Sequence, residues 1–336
     1  MRSQEMSFLI YQNLSQHKSI LNSKSLFIGS TMRYFIFFLI FLSIQSIGYA
    51  AENKSDHPEN ENDFYKILDA ITPDESSPLE KKLQSEKNLK ENQHFYYLHK
   101  INYMLPYYFT TSPYYSVYSQ QPGLTANNQK LNQSEFKGQI SVGVPMVKEL
   151  FGSTNMSLDS TFSEVIFWQT YVDSQYFRST DTEINLLFKY HFFKNWLMYA
   201  GIDHQSNGKG IPLERSWNRI IGSFQFSGEN FYLQTELWGL IFQSESIDLH
   251  NPDIEKYLGH DIITFGYRIG DLNLALALQN IEQMPKYGNI VISASFPMTD
   301  HFNMYLQYFS GYGQSLIEYN HATQGAGLGV SFNNYL

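Results

Sequence analysis

FYLQTELW, residues 231–238, alternates along an extended chain. Phe231, Leu233, Thr235 and Leu237 fall on one side, and Tyr232, Gln234 and Glu236 on the other. Successive side chains of a strand point to opposite faces, so this segment has one apolar wall and one polar wall. HFNMYLQYF, residues 301–309, repeats the pattern, with Phe302, Met304, Leu306 and Tyr308 on one face and Asn303, Tyr305 and Gln307 on the other. The period of two begins near His94 and predicts twelve strands. They are expected at 98–110, 136–147, 156–169, 182–193, 195–206, 215–226, 229–242, 258–269, 271–282, 286–297, 301–310 and 325–336. Tight connections, such as Ser227-Gly228 and Gly270, contrast with long ones such as 111–135 and 243–257. Short turns at one end and long loops at the other are the pattern of a transmembrane barrel. The sheet must close, because an unpaired strand edge finds no water in lipid. The last strand, GAGLGVSFNNYL, alternates through Leu328, Val330 and Phe332 to Leu336 and is expected to pair with the first. The fold expected for residues 94–336 is therefore all-β, a 12-stranded antiparallel transmembrane β-barrel.

Composition agrees. Aromatic residues make up 16% of the 336 and charged residues also only 16%, whereas a soluble domain carries about 25% charged residues. A soluble secreted β-protein is the competing class; low charge and the terminal strand argue against it. A net charge of −9 argues against a nucleic-acid partner. With no cysteine, disulfides, thiolate metal sites and cysteine catalysis are excluded.

Ahead of the barrel the chain changes character twice. Met32-Arg33-Tyr34 leads into FIFFLIFLSIQSIGYA. A basic residue, a short apolar core and small residues before a cut read as a signal peptide over 1–50, cleaved after Ala50. A membrane-anchor helix is the weaker alternative, since Ser43, Gln45 and Ser46 interrupt a run already short of about 20 residues. Met1–Thr31 reads as a long n-region or as an upstream start. Residues 51–93 are rich in Glu, Asp, Lys, Asn and Ser and hold too little apolar surface to order themselves. They are expected to be an acidic, largely disordered periplasmic segment with one short helix near Asp63–Ile71.

The chemistry is concentrated in WLMYAGIDHQSNGKGIPLERSWNRIIGSFQF, residues 196–226. By parity Trp196, Met198, Ala200, Ile202, His204 and Ser206 share the apolar, outward face of one strand; Asn218, Ile220, Gly222 and Phe224 share that of the next. A hairpin symmetric about residue 211 sets His204 across from Asn218 and Ser206 across from Ser216. Opposed side chains lie about 5 Å apart, and neighbours two apart on one strand about 7 Å. A hydroxyl, an imidazole and a carbonyl amide at those separations match a nucleophile, its base and the group that fixes the base's tautomer. The bland alternative is that polar residues only mark the edge of the apolar band. Trp217 and Arg219 face the lumen, Arg219 with Glu236 or Glu183 as partners, while Trp168 and Trp238 read as packing or interface-belt aromatics.

The run HQSNGKGIPLERSWNR resembles the active-site signature of the outer-membrane phospholipase A family, through His204, Ser206, Asn207, Gly208, Ser216, Trp217, Asn218 and Arg219. NPDIEKYLG at 251–259, FGYRIGD at 265–271 and FSGYGQSLIEYN at 309–320 are similar to further blocks of that family. The resemblance implies a calcium-dependent serine hydrolase of the outer membrane, multi-pass and active as a homodimer. Its substrates would be the acyl esters of phospholipids and lysophospholipids (phospholipase A1/A2). It implies Ser206 as nucleophile, His204 as base, Asn218 as orienter and Gly208 as the oxyanion donor. Calcium would be held by the Lys209 backbone carbonyl, by Glu214 where the family has a serine, and by Ser174 from a partner subunit, with Asp173 beside it as an alternative. A passive porin-like or surface-interaction barrel is the competing function.

Overall fold

Alternation of apolar and polar residues becomes a wall with two unlike faces. The computed structural model describes residues 96–118, 131–173, 175–193, 195–241 and 250–335. The expected signal peptide, the acidic segment with its Asp63–Ile71 helix, Ser174 and Leu336 lie outside them.

The strands are β1 (Tyr97–Leu98), β2 (Tyr103–Thr110), β3 (Ser134–Lys148), β4 (Met156–Gln169), β5 (Tyr176–Phe193), β6 (Trp196–Ser206), β7 (Ser216–Ser227), β8 (Phe231–Leu240), β9 (Asp261–Ile269), β10 (Leu272–Gln279), β11 (Asn289–Pro297), β12 (Asn303–Tyr312) and β13 (Ala322–Ser331). Each of β2 to β13 pairs antiparallel with its neighbours in sequence, and β13 returns to pair with β2. The twelve-stranded barrel is thereby closed, as expected, and β1 is a two-residue addition on β3. The wall is inverted relative to a water-soluble protein. Ile140, Phe162, Ile184, Ile202, Ile220, Leu237, Leu306 and Leu328 are exposed on the outside, while Lys137, Asp159, Lys189, Asp203 and Arg219 are buried inside. Such a surface suits hydrocarbon outside and hydrogen-bonding groups within.

Both ends of the barrel depart from the expected strands. The first is divided, because residues 99–102 leave the strand line. There Lys100 reaches into the lumen and donates to Glu183 at 2.7 Å. The last strand stops at Ser331 rather than running to the end of the chain. Asn333 instead donates to the Lys100 carbonyl at 2.9 Å and accepts from the Asn102 N–H at 2.7 Å, and Tyr335 stacks on Tyr232 at 5.3 Å. Polar side chains find partners inside the barrel that a lipid-facing strand would deny them, and that preference overrides local alternation.

The lumen between described residues is crossed by ion pairs. Lys189 meets Asp159 at 2.9 Å, and Tyr97 donates to the same carboxylate at 2.7 Å. The Tyr97 ring rests on Gly143, where a Cβ would stand 2.2 Å from it. At the long-loop end, Ile254 and Leu258 of a short helix (Ile254–Leu258) pack on Leu187, Trp217, Ile221 and Trp238.

Candidate active site

β6 and β7 pair in the register expected from symmetry about residue 211: His204 opposes Asn218 and Ser206 opposes Ser216. All four lie on the outer wall at the long-loop end. His204 Nδ1 is 2.8 Å from Asn218 Oδ1. Since an amide oxygen only accepts, His204 Nδ1 carries the proton and Nε2 is left to act as a base. Ser206 lies two residues further along the same strand. Among the described residues no hydrogen bond joins its hydroxyl to His204; such contacts commonly tighten only when substrate is bound. On the other side, Ile184 and Thr182 of β5 oppose His204 and Ser206. With Leu186, Ile202 and Ile220, exposed on the same wall, they place the polar group at the end of an apolar stripe.

The inner face braces the outer one. Directly behind the His204–Asn218 pair, Arg219 Nε donates to Asp203. Arg219 lies 3.7 Å from Glu183 and 4.3 Å over the Trp217 ring. Of the two partners expected for Arg219, Glu183 is found; Glu236 instead accepts from Tyr199, and Asp203 takes the place expected of it. Trp217 donates to Gln205 at 2.7 Å. Trp238 is buried and donates to the Gly259 carbonyl at 2.8 Å, so it packs the interior; Trp168 stays on the outer wall beside Phe177.

The connecting loop 207–215 is shaped by Asn207, a residue to which sequence reading gave no role. Its side chain is 1% exposed. Nδ2 donates to the Leu213 carbonyl at 2.8 Å, while Oδ1 accepts from Lys209 N at 3.3 Å and Arg215 N at 3.0 Å. The Asn-Gly step inside the quoted motif was the available signal, since Asn side chains bond nearby backbone at turns. Gly208 follows with φ +60, a left-handed backbone that glycine adopts without strain. Among the described residues its N–H has no partner, and nothing lies within 4 Å of its open side. Asn207→Ala takes the partner from the Leu213 carbonyl and from two N–H groups, those of Lys209 and Arg215, and is expected to cost about 1–3 kcal/mol of stability. It should also lower kcat with little change in folded structure, by releasing Gly208. Parallel denaturation and kinetics check this; unchanged kcat would mean the loop keeps its shape without Asn207.

The loop also carries oxygens suited to a cation. The Lys209 carbonyl accepts no hydrogen bond among the described residues, and Lys209 Nζ donates to the Phe177 carbonyl at 3.2 Å. Partial burial lowers the pKa of this ammonium, against the opposing pull of Asp181. Glu214 Oε1 sits 3.1 Å from His250 Nδ1, a pairing that sequence reading did not anticipate. Asn251 beside His250 accepts from Ser216 N at 3.1 Å and donates to Ser216 O at 3.0 Å, tying the β8–β9 loop to the start of β7. Among the described residues no three His, Cys, Asp or Glu side chains gather as a metal group. One carbonyl and one carboxylate are hard oxygen donors of the kind calcium takes, but fewer than the roughly six to eight it binds. The chain's own donors fit calcium as part of a site.

A closed barrel with an apolar outer wall defines a class, the transmembrane β-barrels, and this one carries a hydroxyl, an imidazole and an amide on that wall. The model of the Phospholipase A1 family matches residues 79–332. Phospholipase A1 of Escherichia coli (strain K12) is 30% identical over 244 residues, covering 67% of this chain and 82% of that protein. Phospholipase A1 of Klebsiella pneumoniae is 29% identical over 214 residues, covering 61% and 73%. Outer membrane phospholipase A from Escherichia coli superposes with a TM-score of 0.64 at 28% identity, over 71% of this chain and 92% of that one. The Salmonella typhi outer membrane phospholipase dimer with bound calcium does so at 0.64 and 29%, over 71% and 93%. This chain belongs to the Phospholipase A1 family, and it is an outer-membrane β-barrel enzyme that hydrolyses phospholipid esters.

Proposed function

We propose that Ser206 is the nucleophile of this phospholipase, His204 its base and Asn218 the group that orients the base. The observation that carries the reading is the 2.8 Å contact between His204 Nδ1 and Asn218 Oδ1 on the lipid-facing wall, with Ser206 next along the same face. A phospholipid in the outer leaflet reaches this point laterally, its acyl chains against Ile202 and Ile220. Ser206 Oγ attacks the ester carbon as its proton passes to His204 Nε2. The Nδ1–H bond to Asn218 holds the imidazolium in place. The Gly208 N–H, without a partner among the described residues, donates to the oxyanion. His204 then gives the proton to the departing lysophospholipid oxygen, and an acyl-enzyme remains. Water, deprotonated by His204, cleaves it to free fatty acid and restores Ser206. An amide in the orienting position adds no charge to a wall that faces hydrocarbon.

Calcium is the proposed cofactor, held by the Lys209 carbonyl and the Glu214 carboxylate, whose Oε2 is left over when Oε1 pairs with His250. When bound, the ion stabilises negative charge developing beside the loop. The shortfall of donors in one chain supports a homodimer in which a second barrel, pressed against this face, completes the site with Ser174 or Asp173. The calcium-bound dimer among the similar structures supports the same reading.

The test is hydrolysis of phospholipid in detergent micelles with calcium and with chelator. Activity present with calcium and lost with chelator is expected; activity indifferent to chelator rejects the cofactor. Glu214→Gln should raise the calcium needed for half-maximal activity several-fold, and Glu214→Ser should behave as the family's own serine does. If neither substitution moves the midpoint, Glu214 is not a ligand.

A further inference from the structure

Two consecutive residues of the β8–β9 loop hold the far end of the 207–215 loop. Asn251, 1% exposed, accepts from Ser216 N and donates to Ser216 O through one side-chain amide. A neighbouring strand takes up one residue's N–H and carbonyl in the same way. The amide does this just beyond the β7–β8 ladder, whose last pair at this end is Arg219 with Leu240. The loop is itself anchored: Tyr319 donates to Asp253 at 2.7 Å, and Ile254 is buried in one cluster with Trp217 and Trp238. His250 precedes Asn251 with φ +52, a left-handed backbone uncommon for residues other than glycine. Its Nδ1 lies 3.1 Å from Glu214 Oε1. A carboxylate only accepts, so Nδ1 carries the proton.

Glu214 stands where the family resemblance implies a serine ligand. The longer side chain brings a charged oxygen, but also further rotatable bonds to freeze when an ion binds, and that ordering opposes affinity. A hydrogen bond from an anchored neighbour orders the carboxylate beforehand. We infer that His250 is a positioning residue for calcium: its Nδ1–H fixes the Glu214 carboxylate and leaves Oε2 for the ion. Asn251 keeps the two partners in register, because it bonds the backbone two residues beyond Glu214. This role rests on the reading of Glu214 as a calcium ligand.

The test is calorimetric titration of calcium into the purified full-length protein in detergent micelles, at one protein concentration. His250→Gly accepts the left-handed backbone without strain and removes the imidazole. It is expected to weaken calcium binding roughly tenfold or more, the usual effect of losing the partner behind a metal ligand. His250→Asn also tolerates that backbone and places an amide N–H where Nδ1 stands. Its affinity should stay within about threefold of wild type, since the hydrogen bond is kept. In Glu214→Ser, whose own binding should be weaker than wild type, there is no carboxylate to hold. Adding His250→Gly there should change the affinity by less than about twofold. Binding by His250→Gly as tight as wild type or tighter, an Asn variant as weak as the Gly variant, or an equal loss in the Glu214→Ser background overturns the role of His250 alone. No binding by the wild type overturns the cofactor reading, and Glu214→Ser binding as tightly as wild type overturns Glu214 as ligand; either takes the role of His250 with it. Should His250→Gly fail to fold, His250→Ala replaces it in each comparison.

Discussion

Ser206→Ala is expected to lower phospholipid hydrolysis by several orders of magnitude while the barrel still folds. Removing a serine nucleophile typically costs that much, because the remaining groups keep only the catalysis that binding and charge stabilisation supply. Folding should survive, since Ser206 sits at the rim of the outer wall and its hydroxyl makes no hydrogen bond among the described residues. Retained heat-modifiable mobility and β-type circular dichroism check this. Ser216→Ala is the internal control. It removes the lipid-facing hydroxyl directly across the hairpin and should leave activity within about tenfold of wild type, as for a substitution away from the reacting atoms. Asn218→Ala should fall between the two, because the imidazole is still present but loses the acceptor that fixes its tautomer. Residual activity of Ser206→Ala within roughly tenfold of wild type would reject Ser206 as nucleophile. A large loss in Ser216→Ala with none in Ser206→Ala would move the role one position across the ladder.

That ladder was legible because it is local. Parity along 196–206 and 216–226 determines which side chains face lipid, and a nine-residue loop determines which residues oppose. The facing of His204 with Asn218 and of Ser206 with Ser216 therefore followed from spacing, while the roles given to them came from the family resemblance. The twelve strands were legible for the same reason: a period of two is a property of neighbours. What escaped is what depends on distant partners. Asp203 and Arg219 are obvious as a pair only once the hairpin is built, and Asn251 reaches Ser216 from 35 residues away. The turn of Asn333 and Tyr335 into the lumen is set by Lys100 and Tyr232, more than a hundred residues upstream. The pairing of Glu214 with His250 is of the same kind. Barrel interiors are polar by composition, and composition names the participants without naming the pairs.

Arg178 is the clearest case, and substituting it is expected to have the largest effect on stability. β4 and β5 shift register between Phe167 and Trp168, where Phe167 opposes Ser179 and Trp168 opposes Phe177. Arg178 is the extra residue of this bulge, and the kink turns it inward beside Ser179. It is 2% exposed. Its guanidinium meets both Glu135 oxygens, at 2.8 and 2.9 Å, and Glu318 and Tyr118 at 2.8 Å each. Glu318 belongs to the turn Leu316–Glu318, whose Leu316 N–H donates to Asp181 at 2.7 Å. One cation thus fastens β3, β5 and the β12–β13 loop at the mouth of the barrel. Arg178→Met keeps most of the volume but leaves two buried carboxylates without a counter-charge, which should cost about 3–5 kcal/mol. The neutral triple variant, Arg178→Met with Glu135→Gln and Glu318→Gln, removes the stranded charges and should recover most of that loss, since these groups share one network and their effects are not additive. Denaturant unfolding of wild type, Arg178→Met, the Glu135→Gln/Glu318→Gln pair and the triple variant measures the coupling. A single variant within about 1 kcal/mol of wild type, below the range for breaking a buried pair, would mean water already screens the cluster. A triple variant no more stable than Arg178→Met would mean the loss is one of packing on Phe167, whose ring centre lies 4.4 Å from the guanidinium. Because the Phe177 carbonyl, one residue before Arg178, also receives Lys209 of the 207–215 loop, Arg178→Met should slow hydrolysis too, and the triple variant should restore rate and stability together.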